Sequence, residues 1–276
     1  MTVPQHTLND GTTIPAIGFG TYPLRGAAGT AAIIGAIEAG YRLIDSAVNY
    51  GNEDAVGAAV RAAGVAREEL VVTSKLPGRF HGHDDAVACV EASLRTTGLD
   101  HLDLYLIHWP LPRQAKYVEA WSALVECRER GLVRSVGVSN FLPSHLDAII
   151  EATGVTPSVN QVELHPYFPQ VEQLAYDEAR GIRTQAWSPL GKGSDVAGNA
   201  TIAAIAQAHG RTPAQVILRW HVERGVVALP KSADPARQRE NVDVFSFALS
   251  DEERTAVTAL GRGRLWGADP ATHEEL

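Results

Sequence analysis

Residues 40–53, GYRLIDSAVNYGNE, hold the pattern on which the fold turns. Gly40 is a helix stop, because glycine enters the left-handed conformation of a C-terminal cap without a Cβ penalty. Behind it, YRLID (41–45) is an apolar run of strand length that ends on an acid, Asp45. A polar loop containing Tyr50 leads into the next helical pattern. Helix stop, buried strand, polar loop and helix together make half of a parallel βαβ element.

The same unit recurs along the chain. Strand-length apolar runs occupy 15–19, 41–45, 70–75, 102–108, 133–138, 158–162, 182–187 and 226–229. Helical stripes lie between them: Val87, Val90 and Leu94; Val118, Trp121 and Val125; Leu146, Ile149 and Ile150; Ile202 and Ile205. Gly181, Gly210 and Gly225 repeat the stop, and Thr212-Pro213 and Asp234-Pro235 read as an N-cap followed by proline at the first helical position. Eight such units require right-handed crossovers and are best satisfied by closure. The predicted fold is an α/β (β/α)8 TIM barrel, one domain over residues 1–276. HTLNDGTTIP (6–15) precedes it as a β-hairpin turning at Asp10-Gly11. The alternative, an open dinucleotide-binding sheet, would carry G-x-G-x-x-G after its first strand; GFGTYPLRG (18–26) spaces its glycines differently.

Composition narrows the function. The 276 residues are 45% apolar and 20% charged, which excludes disordered and fibrous classes. Lys and Arg number 24 against 32 Asp and Glu, a net charge of −8, so a nucleic-acid partner is not expected. The opening MTVPQHTLNDG lacks signal-peptide architecture, and no apolar stretch reaches the ~18 residues of a membrane span. The expectation is a cytoplasmic protein with no membrane partner, working as a monomer. Cys89 and Cys127 fall in helical patterns and read as buried thiols. HGH (81–83) reads as solvated loop rather than ligands, so no metal is expected.

In such barrels chemistry collects at the C-terminal ends of the strands. The second strand ends at Asp45 with Tyr50 beyond it, the third at Lys75, the fourth at His108 and Trp109. The fifth delivers Ser139 and Asn140, the sixth Gln161, the seventh Trp187 and Ser188, the eighth Lys231 and Ser232. Ionisable groups at the ends of apolar strands are costly unless they pair or work. Singly, Asp45 could cap a helix, Lys75 reach water, Tyr50 pack as a ring and His108 sit satisfied in the core. Converging on one mouth, they can form a general acid. A free tyrosine with pKa ~10 is a poor donor at neutral pH. Lys75 is expected to pull that pKa down, Asp45 to hold the ammonium charged, and His108 to orient a carbonyl oxygen.

GYRLIDSAVNYGNE (40–53), TSKLPG (73–78), YLIHWP (105–110), VRSVGVSNF (133–141), VNQVELHP (159–166), AWSPLGKG (186–193) and LPKSADPARQREN (229–241) occur in this order, and with them the chain resembles the aldo-keto reductases. The likeness is to the compact prokaryotic type of the diketogluconate reductases. It implies a barrel without a Rossmann domain, and reduction of aldehydes and ketones by hydride transfer from NADPH. It assigns Tyr50 as the acid, Lys75 and Asp45 as its tuning pair, and His108 as the carbonyl orienter. By the same resemblance Ser139, Asn140 and Gln161 bond the nicotinamide carboxamide, Trp187 stacks on the nicotinamide ring, and Ser188, Leu190 and Gly191 flank the pyrophosphate. Lys231, Ser232 and Arg237 would grip the 2′-phosphate, helped by N–H donors at the Asp234-Pro235 helix start, with Glu240 and Asn241 near the adenine. Tyr22, Val48, His108 and Trp109 would line the site of a small carbonyl substrate; Trp266 could join them or be a packing anchor. Two rivals remain: an NADPH-binding sensor with little turnover, and a Schiff-base lyase using Lys75.

Overall fold

The computed structural model describes residues 3–275. Eight short parallel strands follow one another around a sheet in chain order. After a hairpin of β1 (Gln5–Thr7) and β2 (Thr13–Pro15), they are β3 (Phe19–Gly20), β4 (Leu43–Asp45), β5 (Val71–Leu76), β6 (Leu102–Ile107), β7 (Val133–Ser139), β8 (Val159–Glu163), β9 (Arg183–Trp187) and β10 (Val227–Ala228). The ring closes where Ile17 bridges Ala228 in parallel, with Gly18 N donating to Ala228 O at 2.9 Å and Gly20 N to Pro230 O at 3.0 Å.

Helices α1 (Gly26–Ala39), α2 (Glu53–Ala62), α3 (His83–Thr97), α4 (Tyr117–Glu129), α5 (Pro143–Thr153) and α6 (Val171–Ala179) form the crossovers. Two helices, α7 (Ala200–His209) and α8 (Pro213–Glu223), fill the last one, and α9 (Pro235–Val242) and α10 (Asp251–Thr258) follow β10. The punctuation works as the sequence implies: Gly40 caps α1 at φ +112°, and Thr212 forms a reciprocal capping box with Gln215. Cys89 and Cys127 are buried free thiols. Among the described residues no helix is long and apolar enough to cross a membrane.

One predicted strand is wrong. The run 15–19 belongs to two elements, because β2 ends at Pro15 and β3 begins at Phe19. Ala16, Ile17 and Phe19 are all buried, so hydrophobicity alone gives no sign of where the chain leaves the hairpin and enters the barrel.

Strand alternation positions the site. Leu43, Leu104, Leu106, Val159, Val227 and Leu229 pack together inside the ring, with Leu8 and Ile14 contributed by the hairpin. Two residues further along the same faces stand Asp45 after Leu43, His108 after Leu106 and Gln161 after Val159. A period of two therefore stacks a polar layer directly on an apolar one, at the strands' C-terminal ends.

Candidate active site

Lys75 is fully buried at the centre of this polar layer. Its Nζ donates to Asp45 Oδ2 at 2.7 Å and to the Ser46 carbonyl at 2.7 Å, and lies 3.4 Å from the Tyr50 hydroxyl. Burial by itself would lower the lysine's pKa, but Asp45 and Tyr50 reverse the balance and raise it, so the ammonium stays charged. Asp45 Oδ1 accepts from Gln161 Nε2 at 2.8 Å, and that amide also donates to Gln185 Oε1 at 2.9 Å.

Tyr50 ends a single 3-10 turn (Val48–Tyr50) that brings it back over Lys75. Its ring lies 6.0 Å from that of His108, edge to face, and 5.2 Å from that of Tyr22. Lys75 pulls the Tyr50 pKa down as expected, but the net shift is upward. Desolvation raises it, and outweighs the pull of Lys75 in the opposite direction. The phenol is therefore protonated at neutral pH.

These residues face a cavity of about 590 Å³. Asp45, Tyr50, His108, Ser139, Asn140, Gln161, Trp187, Ser188, Leu190 and Lys231 line it, as do Tyr22, Trp109 and Trp266. Asn140 bridges the layer: its Nδ2 donates to the His108 carbonyl at 3.0 Å and its Oδ1 accepts from the Trp187 indole at 2.8 Å. Asn140 and Ser188 hold left-handed backbone, at φ +63° and +48°, a region that non-glycine residues seldom adopt.

Other predicted residues stand outside the lining. Lys75 lies beneath it, and Val48 packs against the helix–strand core instead. Gly191 is buried behind the rim, in left-handed backbone at φ +58°. Ser232, Arg237, Glu240 and Asn241 sit on the loop and helix beyond Lys231, with Arg237 exposed and Asn241 buried. Glu240 is tied to Thr212 Oγ1 at 2.7 Å. The helix-start donors expected for a phosphate are already used, since Asp234 Oδ1 accepts from both Ala236 N and Arg237 N. The N-cap that starts the helix thus occupies its own anion site. His81 is not solvated either: it is buried, and desolvation pushes its imidazole down to about 4.

Sequence reasoning missed two carboxylates. Glu163, fully buried at the end of β8 and paired in register with Trp187, accepts from Leu265 N at 2.7 Å and lies 3.1 Å from His165 Nε2. This docks the segment that sets Trp266 against Trp187, ring centroids 5.5 Å apart. An acid closing a fully buried strand-length run was the available signal. Glu275 places Oε1 2.8 Å from His108 Nδ1, across 167 residues of sequence that carry no sign of the contact.

The family model for the aldo/keto reductase family matches residues 16–262, and the chain belongs to that family. It is 53% identical over 274 residues to 2,5-diketo-D-gluconic acid reductase B of Corynebacterium sp. (strain SHS752001), covering 99% of both chains. To methylglyoxal reductase DkgA of Yersinia pestis it is 45% identical over 268 residues, covering 97% of this chain and 96% of the other. Among solved structures it is similar to a variant of Gox0644 in complex with NADPH (TM-score 0.94, 42% identity, 99% and 100% coverage). It is also similar to the Bombyx mori aldo-keto reductase in complex with NADP (TM-score 0.92, 33% identity, 100% and 99% coverage).

Proposed function

We propose that this protein is an NADPH-dependent reductase of aldehydes and ketones, with Tyr50 as the proton donor. The observation that carries the reading is the Tyr50 hydroxyl at the cavity wall, 3.4 Å from a buried ammonium that is itself paired with Asp45. A neutral phenol holds its proton until a carbonyl oxygen gains negative charge. Lys75 then favours the phenolate that the transfer leaves behind, while Asp45 keeps the ammonium charged and aimed. His108, on the other side of Tyr50, orients the oxygen. Tyr22, Trp109 and Trp266 supply apolar walls suited to small neutral carbonyls.

The residues present suit the cofactor that the similar structures hold. The lining combines an indole fixed by Asn140, the polar side chains of Ser139 and Gln161, and the exposed Lys231 at the rim. Arg237 is exposed in the first turn of α9, and a guanidinium with an ammonium matches a phosphomonoester. Ser188, Leu190 and Gly191 would flank the pyrophosphate, and Ser232, Glu240 and Asn241 would complete the adenosine end. When bound, NADPH supplies the two-electron reductant for the carbonyl carbon. Schiff-base chemistry at Lys75 is disfavoured, because its Nζ is buried, charged and held by two close acceptors.

The test is NADPH consumption across aldehydes, diketones, keto acids and keto-sugars, with NADH in parallel, by the protein and by Tyr50→Phe. The variant is expected to lose at least about a hundredfold in kcat while binding NADPH as before. Normal turnover by Tyr50→Phe would remove the assignment, and tight NADPH binding without turnover by the unaltered protein would favour the sensor reading.

A further inference from the structure

The segment after Trp266 returns to the cavity mouth and docks there at several points. His273 stacks on Trp109 with ring centroids 4.3 Å apart. Glu274 accepts from Arg113 N at 2.8 Å. The Glu275 backbone passes so close to Gly78 that a Cβ there would meet the Glu275 carbonyl at 2.6 Å. This docking puts the Glu275 side chain, only 15% exposed, against His108. Oε1 lies 2.8 Å from Nδ1, and Oε2 is buried without a hydrogen-bond partner.

We infer that Glu275 sets which carbonyls the site accepts: its carboxylate rejects substrates carrying a negative charge beside the reacting carbonyl and admits neutral aldehydes and ketones. The inference rests on the reductase reading, and adds the substrate class to it. A carbonyl oxygen bonded by the far ring nitrogen of His108 is separated from Glu275 by the imidazole and a hydrogen bond on either side, roughly 7 Å in all. A carboxylate attached to that carbonyl carbon is then brought close to a second negative charge, at a site largely shielded from water.

Among the described residues no lysine or arginine forms an ion pair with Glu275. Lys75 is paired with Asp45, whereas Arg25, Arg79 and Lys192 bond or lie over neutral groups and, with Lys231, keep their charge further around the mouth. Burial would raise the pKa of Glu275, but contacts with His108 and Asn49 outweigh it and hold the carboxyl below its ordinary range, so the charge is present at neutral pH. Repulsion between two partly screened charges at such range is worth on the order of tenfold in relative rate.

A matched pair that differs only in charge, pyruvate and its methyl ester, isolates the effect. The quantity measured is kcat/KM for the acid divided by kcat/KM for the ester, so any general change in activity cancels. The protein is expected to favour the ester. Glu275→Gln, which keeps the shape and removes the charge, should raise the ratio about tenfold. Glu275→Asp, which keeps the charge, should stay near the unaltered protein. A ratio unchanged within about twofold in Glu275→Gln, an equal shift in both variants, or an initial preference for pyruvate would each overturn the inference. Absence of turnover with either compound and with every other carbonyl would instead remove the reductase reading beneath it.

Discussion

Gln161 donates from Nε2 to Asp45 Oδ1 at 2.8 Å, joining β8 to β4 through the interior of the barrel although 116 residues separate the two in sequence. Asp45 thereby serves two groups, since its other oxygen receives the Lys75 ammonium at 2.7 Å. The residue expected to hold a carboxamide and the pair expected to tune the acid belong to one hydrogen-bonded layer, with Lys75 and Asp45 buried beside Tyr50.

That coupling predicts non-additive stability. Lys75→Met leaves a buried carboxylate without its counter-ion and should cost about 3–5 kcal/mol, read from urea unfolding. Combining it with Asp45→Asn removes both charges, so the double variant should be less destabilised than the sum of the two singles. Additive losses would mean that the pair is solvated in the folded protein. Both variants should also lose reductase activity.

Arg237→Ala should discriminate between the two nicotinamide cofactors. Loss of a charge-assisted contact to a 2′-phosphate should raise the NADPH dissociation constant by roughly 10- to 100-fold. The NADH constant should barely change, because NADH lacks that phosphate. Fluorescence titration with each cofactor measures the difference; equal effects would remove Arg237 from the phosphate site.

His81 should make the fold sensitive to acid. It is buried, and desolvation lowers its pKa to about 4 from an ordinary value near 6.5. The unfolded chain therefore takes up a proton at a higher pH than the folded one does. The stability linked to this residue is present above about pH 6.5 and is lost as pH falls toward 4, by up to about 3 kcal/mol. His81→Gln should flatten the stability profile between pH 6.5 and 4 in denaturant titrations. An unchanged slope would show that His81 is protonated in the folded state or reaches water.

Much of the site could be read from the chain because strand alternation and punctuation are local properties. Glycine stops, proline starts and eight apolar runs determined the barrel, and the residue ending each run determined what faces its mouth. Asp45 and His108 end their runs and face the mouth, and Lys75 ends its run just beneath them. The run 15–19 failed because unbroken hydrophobicity cannot mark a change from hairpin to barrel. The helix start at Asp234-Pro235 is where the sequence put it, but its N–H groups are not free for a phosphate, because a capping side chain and an anionic ligand compete for the same donors.

Only the tertiary structure decided the electrostatic balance and the long-range contacts. The direction of the Tyr50 shift depends on desolvation against the pull of Lys75, and desolvation depends on everything packed around the ring. Glu163 reaches Leu265 across 102 residues, and Glu275 reaches His108 across 167. Spacing along the chain encodes which residues share a strand face or a helix face. It carries no information on where a segment beyond the last helix comes to rest, because that is set by the surface it docks on.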